Sequence, residues 1–130
     1  QSYNLQAAVD TDSKMIVGTY PTQKCNDKAE LKNCVESVPE ELEKEENVFV
    51  CADTGYFSSS LIEKTQEGQK IYSKRKTTVE PVFVIIKRVM GFRQFLMRGL
   101  ENIGIEWDLV TISYNVSRMY ALKNLSLAKM

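Results

Sequence analysis

The sequence predicts an α/β domain in which a small mixed sheet is flanked by helices and a long C-terminal helix closes the chain. Two β-branched segments near the start are separated by a polar turn, and the continuous apolar run from Val48 to Ala52 is typical of a strand buried on both faces. Apolar residues recur at helical spacing from Ile105 to Met119. With 130 residues, 43% of them hydrophobic, the chain can enclose one core, so we expect a single domain over residues 1–130.

The first third of the chain predicts a hairpin followed by a short helix. Tyr3 to Asp10 alternates loosely, residues 11–14 are polar, and Met15 to Tyr20 is β-branched and ends at Pro21. After Asn26 and Asp27, which are suitable N-cap residues, apolar positions from Ala29 to Val38 indicate a helix that stops before Pro39.

The central part predicts the first half of a βα unit. The strand at Val48 to Ala52 is followed by Asp53-Thr54-Gly55, and Ser58 to Ser60 then cap a short helix that begins near Leu61. Functional sites of open α/β sheets collect at the carboxyl ends of strands, which makes Asp53 a candidate site residue. The alternative is a purely structural role for Asp53 in an Asx-turn or a cap.

Charge is strongly segregated although the formal net charge is zero. Residues 27–46 carry eight acids and three lysines. Residues 70–98 carry eight Lys or Arg and a single acid, Glu80. Such asymmetry indicates an anionic partner for the basic surface, whereas the alternative is two ordinary solvated surfaces.

Glu80 has a structural and a functional interpretation. The Thr77-x-x-Glu80 spacing is that of a capping box, and Pro81 falls in the first turn, where a missing N–H costs little. The run from Val82 to Ile86 is strand-prone, but a cap and a shared apolar face favour a helix. In a helix, Glu80 and Lys87 lie on one face about 10 Å apart along the axis.

Composition excludes several kinds of chemistry. The chain has no histidine, which removes Ser-His-Asp and Cys-His catalysis and histidine-containing zinc sites. Its three cysteines lack CxxC spacing and indicate reduced packing thiols. Since no run of about 18 apolar residues occurs, we expect no membrane-spanning segment and no membrane partner.

Four stretches together resemble a known family. They are YNLQAAVD with the following MIVGTYPT, then CNDKAEL, then CADTGYFS, and finally RKTTVEPVFVIIKRVMGFRQFLMRGLENIGIEWDLVTISYNV. In this order they resemble the C-terminal part of the catalytic domain of bacterial insertion-sequence transposases of the DDE class. The resemblance implies a partial RNase H-like fold, with the strand that carries the first catalytic aspartate expected upstream of residue 1.

The resemblance also implies site residues. Asp53 matches the second acid of the DDE triad and Glu80 the third, so both are expected to be catalytic and to bind metal. The family's Tyr-Arg-Glu-Lys signature matches Tyr72, Arg75, Glu80 and Lys87, which implies contacts with DNA phosphates. Four residues separate Arg75 from Glu80 where the signature has three, and Lys76 is the alternative at that position.

The implied activity is DNA cleavage at element ends and strand transfer with Mg²⁺ or Mn²⁺. Two metal ions held by carboxylates can perform this chemistry without histidine. The implied partners are element-end and target DNA, with the parent enzyme a homodimer on DNA in the bacterial cytoplasm near the nucleoid. Because only two triad acids are matched, we expect the isolated chain to be inactive.

Two alternatives remain at this point. The chain could be a non-catalytic DNA-binding or regulatory remnant that uses only the basic surface of residues 70–98. It could also be a structural α/β module in which Glu80 only caps a helix and Asp53 only shapes a turn.

Overall fold

The computed structural model of the chain describes residues 3–24, 30–39 and 78–128. In this part the elements are β1 (Asn4–Val9), β2 (Ile16–Thr22), α1 (Leu31–Glu36), α2 (described over residues 78–84 and followed directly by a π-helical turn, Ile85–Val89) and α3 (Leu100–Ala128). The expected strand at 48–52 and the expected helix near Leu61 lie outside the described residues.

The predicted hairpin is confirmed. β1 and β2 pair antiparallel from Asn4 opposite Thr22 to Val9 opposite Ile16, with a register shift between Ala8 and Val9. The turn contains Lys14 at φ 60°, a left-handed conformation that few residues other than glycine adopt. One face of this hairpin packs against α2 and α3, as the burial of Ile16 shows.

The core of the described part lies between the hairpin, α2 and α3. Val82 and Ile86 of α2 are each 1% exposed, and so is Trp107 of α3. Phe83 stacks on Trp107 with ring centroids 6.0 Å apart and planes 8° from parallel. Full burial of a side chain of this size stabilises by roughly 1.5–3 kcal/mol, so these contacts are sufficient to fix α2 against α3.

Polar side chains of α3 hold the turn end of the hairpin. The amide of Asn115 receives the N–H of Ile16 at 2.9 Å and donates to the carbonyl of the same residue at 2.8 Å. The Tyr114 hydroxyl donates to the carbonyl of Lys14 at 2.9 Å, and Arg118 Nε donates to the carbonyl of Ser13 at 2.6 Å. Backbone groups that a further strand would otherwise satisfy are therefore satisfied by a helix.

The long closing helix is confirmed, but its most regular apolar stripe faces away from the hairpin. The buried residues of α3 are Ile103, Trp107, Thr111 and Tyr114. The stripe from which the helix was predicted is more than half exposed at each position: Ile105, Leu109, Ile112, Val116 and Met119. Tyr120 is also exposed. Helical period therefore predicted the element correctly without predicting which face packs on the hairpin.

The predicted short helix is confirmed as α1, and it ends before Pro39, but its N-cap is Glu30 and not the expected Asn26 or Asp27. It approaches β2 so closely at Gly18 that an added Cβ would lie 2.6 Å from Ser37 Oγ and 3.2 Å from the Ser37 carbonyl carbon. Cys34 is buried with a free thiol, and this burial raises its pKa, in agreement with the predicted packing role for that cysteine.

The predicted α/β class is confirmed by an antiparallel two-stranded sheet that packs against helices. Among the helices of the described residues, none combines the length and the apolar character needed to cross a lipid bilayer.

Replacing Asn115 by Leu is expected to lower the free energy of unfolding by about 2 kcal/mol, because two hydrogen bonds are removed and both polar groups of Ile16 stay partly buried. Urea unfolding can be followed by the fluorescence of Trp107, the single tryptophan of the chain. The matched control is Asn124→Leu, which makes the same change at an exposed position of α3. Equal midpoints for the two variants would show that the Asn115 amide does not hold the hairpin.

Candidate active site

Glu80 lies near the start of the described part of α2, on the side that faces solvent. The helical alternative for this stretch is confirmed and the strand alternative is wrong, because residues 78–84 are helical. Val82 and Ile86 face the core at helical spacing, so Glu80 is directed outward and is exposed. The described part of the helix is linked to the hairpin through Thr78, which is 3% exposed and accepts a hydrogen bond from Lys14 Nζ at 3.2 Å.

The end of α2 widens into a π-helical turn that contains Lys87 and Arg88. The N–H of Met90 donates to the carbonyl of Ile85 at 3.0 Å, and the N–H of Phe92 donates to that of Ile86 at 3.1 Å. Between them Gly91 adopts φ 74°, which ends the helix. Wide turns of this kind are common where helices end, so the π-turn positions Lys87 and Arg88 at the C-terminal end of α2.

The structure brings Glu80 and Lys87 onto one helix, and both side chains are exposed. The spacing estimate for a uniform α-helix does not apply across Ile85–Val89, because hydrogen bonds there span five residues instead of four. The other predicted site residues, Asp53, Tyr72, Arg75 and Lys76, lie outside the described residues, as does Thr77, the predicted partner of Glu80 in the capping box.

Exposed cations continue beyond α2. Lys87, Arg88, Arg93 and Arg98 are all exposed, and within residues 3–24, 30–39 and 78–128 none of them forms an ion pair with an acid. No acid occurs in the sequence between Glu80 and Glu101. This part of the surface is therefore positive and can attract a polyanion.

Asp10, a nearby acid at the end of β1, has a structural role. Its Oδ2 accepts hydrogen bonds from the Ser13 hydroxyl at 2.6 Å and from the Ser13 N–H at 2.7 Å. These bonds hold the pKa of the Asp10 carboxyl below its usual value of 3.8, and the bond from the Ser13 hydroxyl is the largest cause. The carboxylate therefore shapes the hairpin turn.

One buried acid was not singled out by the sequence. Glu30, at the N-cap of α1, has a fully buried side chain that pairs with Lys24 Nζ at 2.7 Å and accepts from Asn33 Nδ2 at 3.3 Å. The bond from Lys24 is the main cause that lowers the pKa of Glu30. A Lys-x5-Glu spacing carries no recognisable signal in the sequence, because the pairing depends on how α1 packs against β2.

The chemistry of the donors decides which metal ions this site fits. Glu80 offers carboxylate oxygen, which Mg²⁺ and Mn²⁺ accept, and its exposure leaves room for metal-bound water. Within the described part of the chain, no three His, Cys, Asp or Glu side chains are grouped closely enough to hold a metal ion. A metal site at Glu80 would therefore take at least one more acid from outside that part, and Asp53 is the sequence-predicted candidate.

In the comparison with protein families, a model described as the transposase DDE domain matches residues 2–120. The chain belongs to the transposase DDE domain family. Neither curated proteins nor solved structures give a match.

Membership confirms the resemblance at the level of the DDE transposase. A transposase DDE domain is part of an enzyme family that acts on DNA and typically uses divalent metal ions. The match extends over both strands of the hairpin, all of α2 and most of α3, so the surface that bears Glu80 and Lys87 belongs to the family domain.

Replacing Asp10 by Asn tests its role in the turn. The lowered pKa means that the charged carboxylate stabilises the fold fully above the unfolded-state pKa near 3.8, and that this stabilisation is lost as pH falls through the folded-state value. At pH 7 we expect a loss of less than about 1 kcal/mol, because solvent screens the interactions of an exposed carboxylate, and this loss shrinks toward zero as the pH is lowered below 3.8.

The control for this measurement is Asp12→Asn, which removes the same charge from the same turn. Urea unfolding of the wild type and both variants between pH 3 and pH 7 provides the comparison. A loss for Asp10→Asn that does not change with pH would contradict the role given to the Asp10 carboxylate.

Proposed function

We propose that this transposase DDE domain is the RNase H-like catalytic domain of an insertion-sequence transposase, and that Asp53 and Glu80 bind its divalent metal. The observation that carries the proposal is the position of Glu80. Glu80 is exposed near the start of the described part of α2, whose opposite side is buried, inside a domain matched by the family over residues 2–120. A side chain on such a firmly packed helix is suited to holding a metal ion in place.

The carboxylates would hold Mg²⁺ or Mn²⁺, which in such sites activates water or a 3′-hydroxyl and stabilises the leaving oxygen. The basic residues have a separate task. Lys87, exposed in the π-turn, binds a DNA phosphate. Tyr72 and Arg75 extend this contact as the family's signature residues, with Lys76 as the alternative to Arg75. Neutralising the flanking phosphates keeps the scissile group next to Glu80.

The resemblance assigns only two of the three triad acids, and this bears on whether the isolated 130-residue chain is active. The resemblance assigns Asp53 and Glu80 but gives no residue for the first aspartate, and Asp10 is engaged in its turn. We therefore expect this chain in isolation to bind DNA and metal without efficient strand transfer, whereas the parent enzyme acts on element ends as a homodimer.

A second candidate function is DNA binding without catalysis, as in a regulatory remnant. The four exposed cations Lys87, Arg88, Arg93 and Arg98, which form no ion pair in the described part of the chain, favour it. Such binding would depend steeply on salt and would need no metal ion. Metal dependence therefore separates the two functions.

Alanine at Asp53 or at Glu80 is expected to weaken Mn²⁺ binding by more than the roughly tenfold that even the loss of an outer-shell partner costs. Isothermal titration of the purified chain with Mn²⁺ measures this. The matched control is Glu101→Ala, which removes an exposed acid from the first turn of α3. Equal Mn²⁺ affinity in all three variants would rule out a metal site at Asp53 and Glu80.

A strand-transfer assay with Mg²⁺ or Mn²⁺ completes the test. We expect no efficient turnover by the isolated chain. Efficient turnover that disappears in Asp53→Ala would contradict the expected inactivity and would confirm the catalytic assignment. DNA binding that is unaffected by metal, together with no Mn²⁺ binding, would support the non-catalytic candidate.

A further inference from the structure

The segment between α2 and α3, residues 91–99, has a defined shape although it contains no helix or strand. It begins at Gly91 with φ 74° and ends at Gly99 with φ 89°, two left-handed conformations that favour glycine. We refer to residues 91–99 as the arginine loop, because Arg93 and Arg98 are its charged residues.

Contacts with the rest of the molecule fix the arginine loop from inside. Phe92 packs edge-to-face on Phe95 with centroids 5.2 Å apart and lies 6.4 Å from Trp107. At the far end, the N–H of Gly99 donates to the Tyr3 hydroxyl at 3.2 Å, and Asn102 Nδ2 donates to the carbonyl of Arg98 at 3.0 Å. The aromatic side chains face the core, and the backbone is tied at both ends.

The tip of the arginine loop is held by the carboxylate of Glu106. The N–H of Leu96 donates to both carboxylate oxygens, at 3.0 and 3.1 Å, and the N–H of Met97 donates to one of them at 3.0 Å. Hydrogen bonds to an ionised acceptor are stronger than neutral ones. The negative charge of Glu106 is thus directed at backbone N–H groups of the loop.

The outer surface of the arginine loop combines cations with the exposed apolar side chains of Leu96 and Met97, of which Leu96 is the more exposed. Arg93 and Arg98 are exposed, and Leu96 between them is 84% exposed. A leucine so exposed is free to contact the apolar surface of a partner, and such a contact would remove apolar area from water. Arginines on either side of an apolar tip fit a partner with phosphates outside and apolar base or sugar surface between them.

We propose that the arginine loop is a preformed contact for duplex DNA, in which Arg93 and Arg98 bind phosphates and Leu96 contacts base or sugar surface in the minor groove. Apolar side chains of this kind are known to act as wedges at base steps, flanked by cations on the backbone. Glu106 is a positioning residue, because it orders the loop before DNA arrives and so lowers the entropy lost on binding. This inference rests on the proposed function, since it extends the DNA contact beyond Lys87.

The phosphate contacts can be tested with the full chain and a fluorescein-labelled 30-base-pair duplex. Anisotropy titrations at several KCl concentrations give the slope of log K against log salt. The double variant R93A/R98A is expected to bind more weakly and to reduce this slope by about 0.9 for each phosphate that is no longer neutralised. Lys123→Ala, an exposed cation near the end of α3, is the control and should leave both quantities nearly unchanged.

The contact proposed for Leu96 predicts a different result in the same titrations. Leu96→Ser is expected to cause a several-fold loss of affinity with no change in the salt slope, because an apolar contact releases no counterions. Affinity equal to that of the wild type would overturn the contact assigned to Leu96.

Variants of Glu106 give the clearest test, because a pure charge effect and a positioning role predict opposite changes in DNA affinity. Removing an acid from a DNA-binding surface should tighten binding by charge alone, as expected for Glu101→Ala. If Glu106 positions the loop, Glu106→Ala weakens binding despite the same change in charge. Glu106→Gln keeps an acceptor oxygen and should recover part of the loss. Tighter binding by Glu106→Ala would overturn the positioning role.

The outcomes separate this inference from the proposed function. Salt-dependent DNA binding by the wild type that R93A/R98A leaves unchanged would overturn the loop contact alone. No DNA binding by the wild type at low salt would overturn both the loop contact and the DNA-binding part of the proposed function. Circular dichroism of each variant shows whether the fold is retained, and urea unfolding ranks the variants by stability.

Discussion

The amide of Asn115 does for the edge of the hairpin what a neighbouring strand would do. It receives the N–H of Ile16 and donates to the Ile16 carbonyl, so both backbone groups are satisfied at a point where a two-stranded sheet has no third strand in the described part of the chain. A hairpin alone is marginally stable in water. Its place on α3 is therefore set by a directional pair of bonds as well as by apolar burial.

These hydrogen bonds between α3 and the hairpin determine, step by step, how the rest of the described structure packs. Once α3 is held on the hairpin, Trp107 lies beside Ile16 in the core and offers a flat face to Phe83. The stacked ring, with Val82 and Ile86, determines the rotation of α2 about its axis. Glu80 must then face solvent, because the buried positions occupy the other side of the helix. A candidate catalytic acid is thus oriented by packing far from its own carboxylate.

The sequence predicts the local elements well because they depend on local chemistry. Alternation and a polar turn are enough for the hairpin, and apolar spacing is enough for α1 and α3. It does not predict which apolar stripe of α3 is buried: Ile105 to Met119 forms the more regular stripe, yet Trp107 and Tyr114 pack on the hairpin. The volume of the aromatic side chains and the hydrogen bonds of Asn115 to the hairpin decide which face of α3 is buried. The same limit applies to Glu30, and to the π-turn, which depends on how α2 ends at Gly91.

Glu106 shows why a chain of zero net charge can still present a positive surface. Its carboxylate lies within the basic region but accepts three hydrogen bonds from backbone N–H groups of Leu96 and Met97, so part of its field is directed inward. Arg93 and Arg98 remain without an ion pair in the described residues. A surface lysine in place of Glu106 would add charge but could not accept these bonds, and the loop would lose the shape that presents both arginines. For binding a regular polyanion, the arrangement of charges matters as much as their sum.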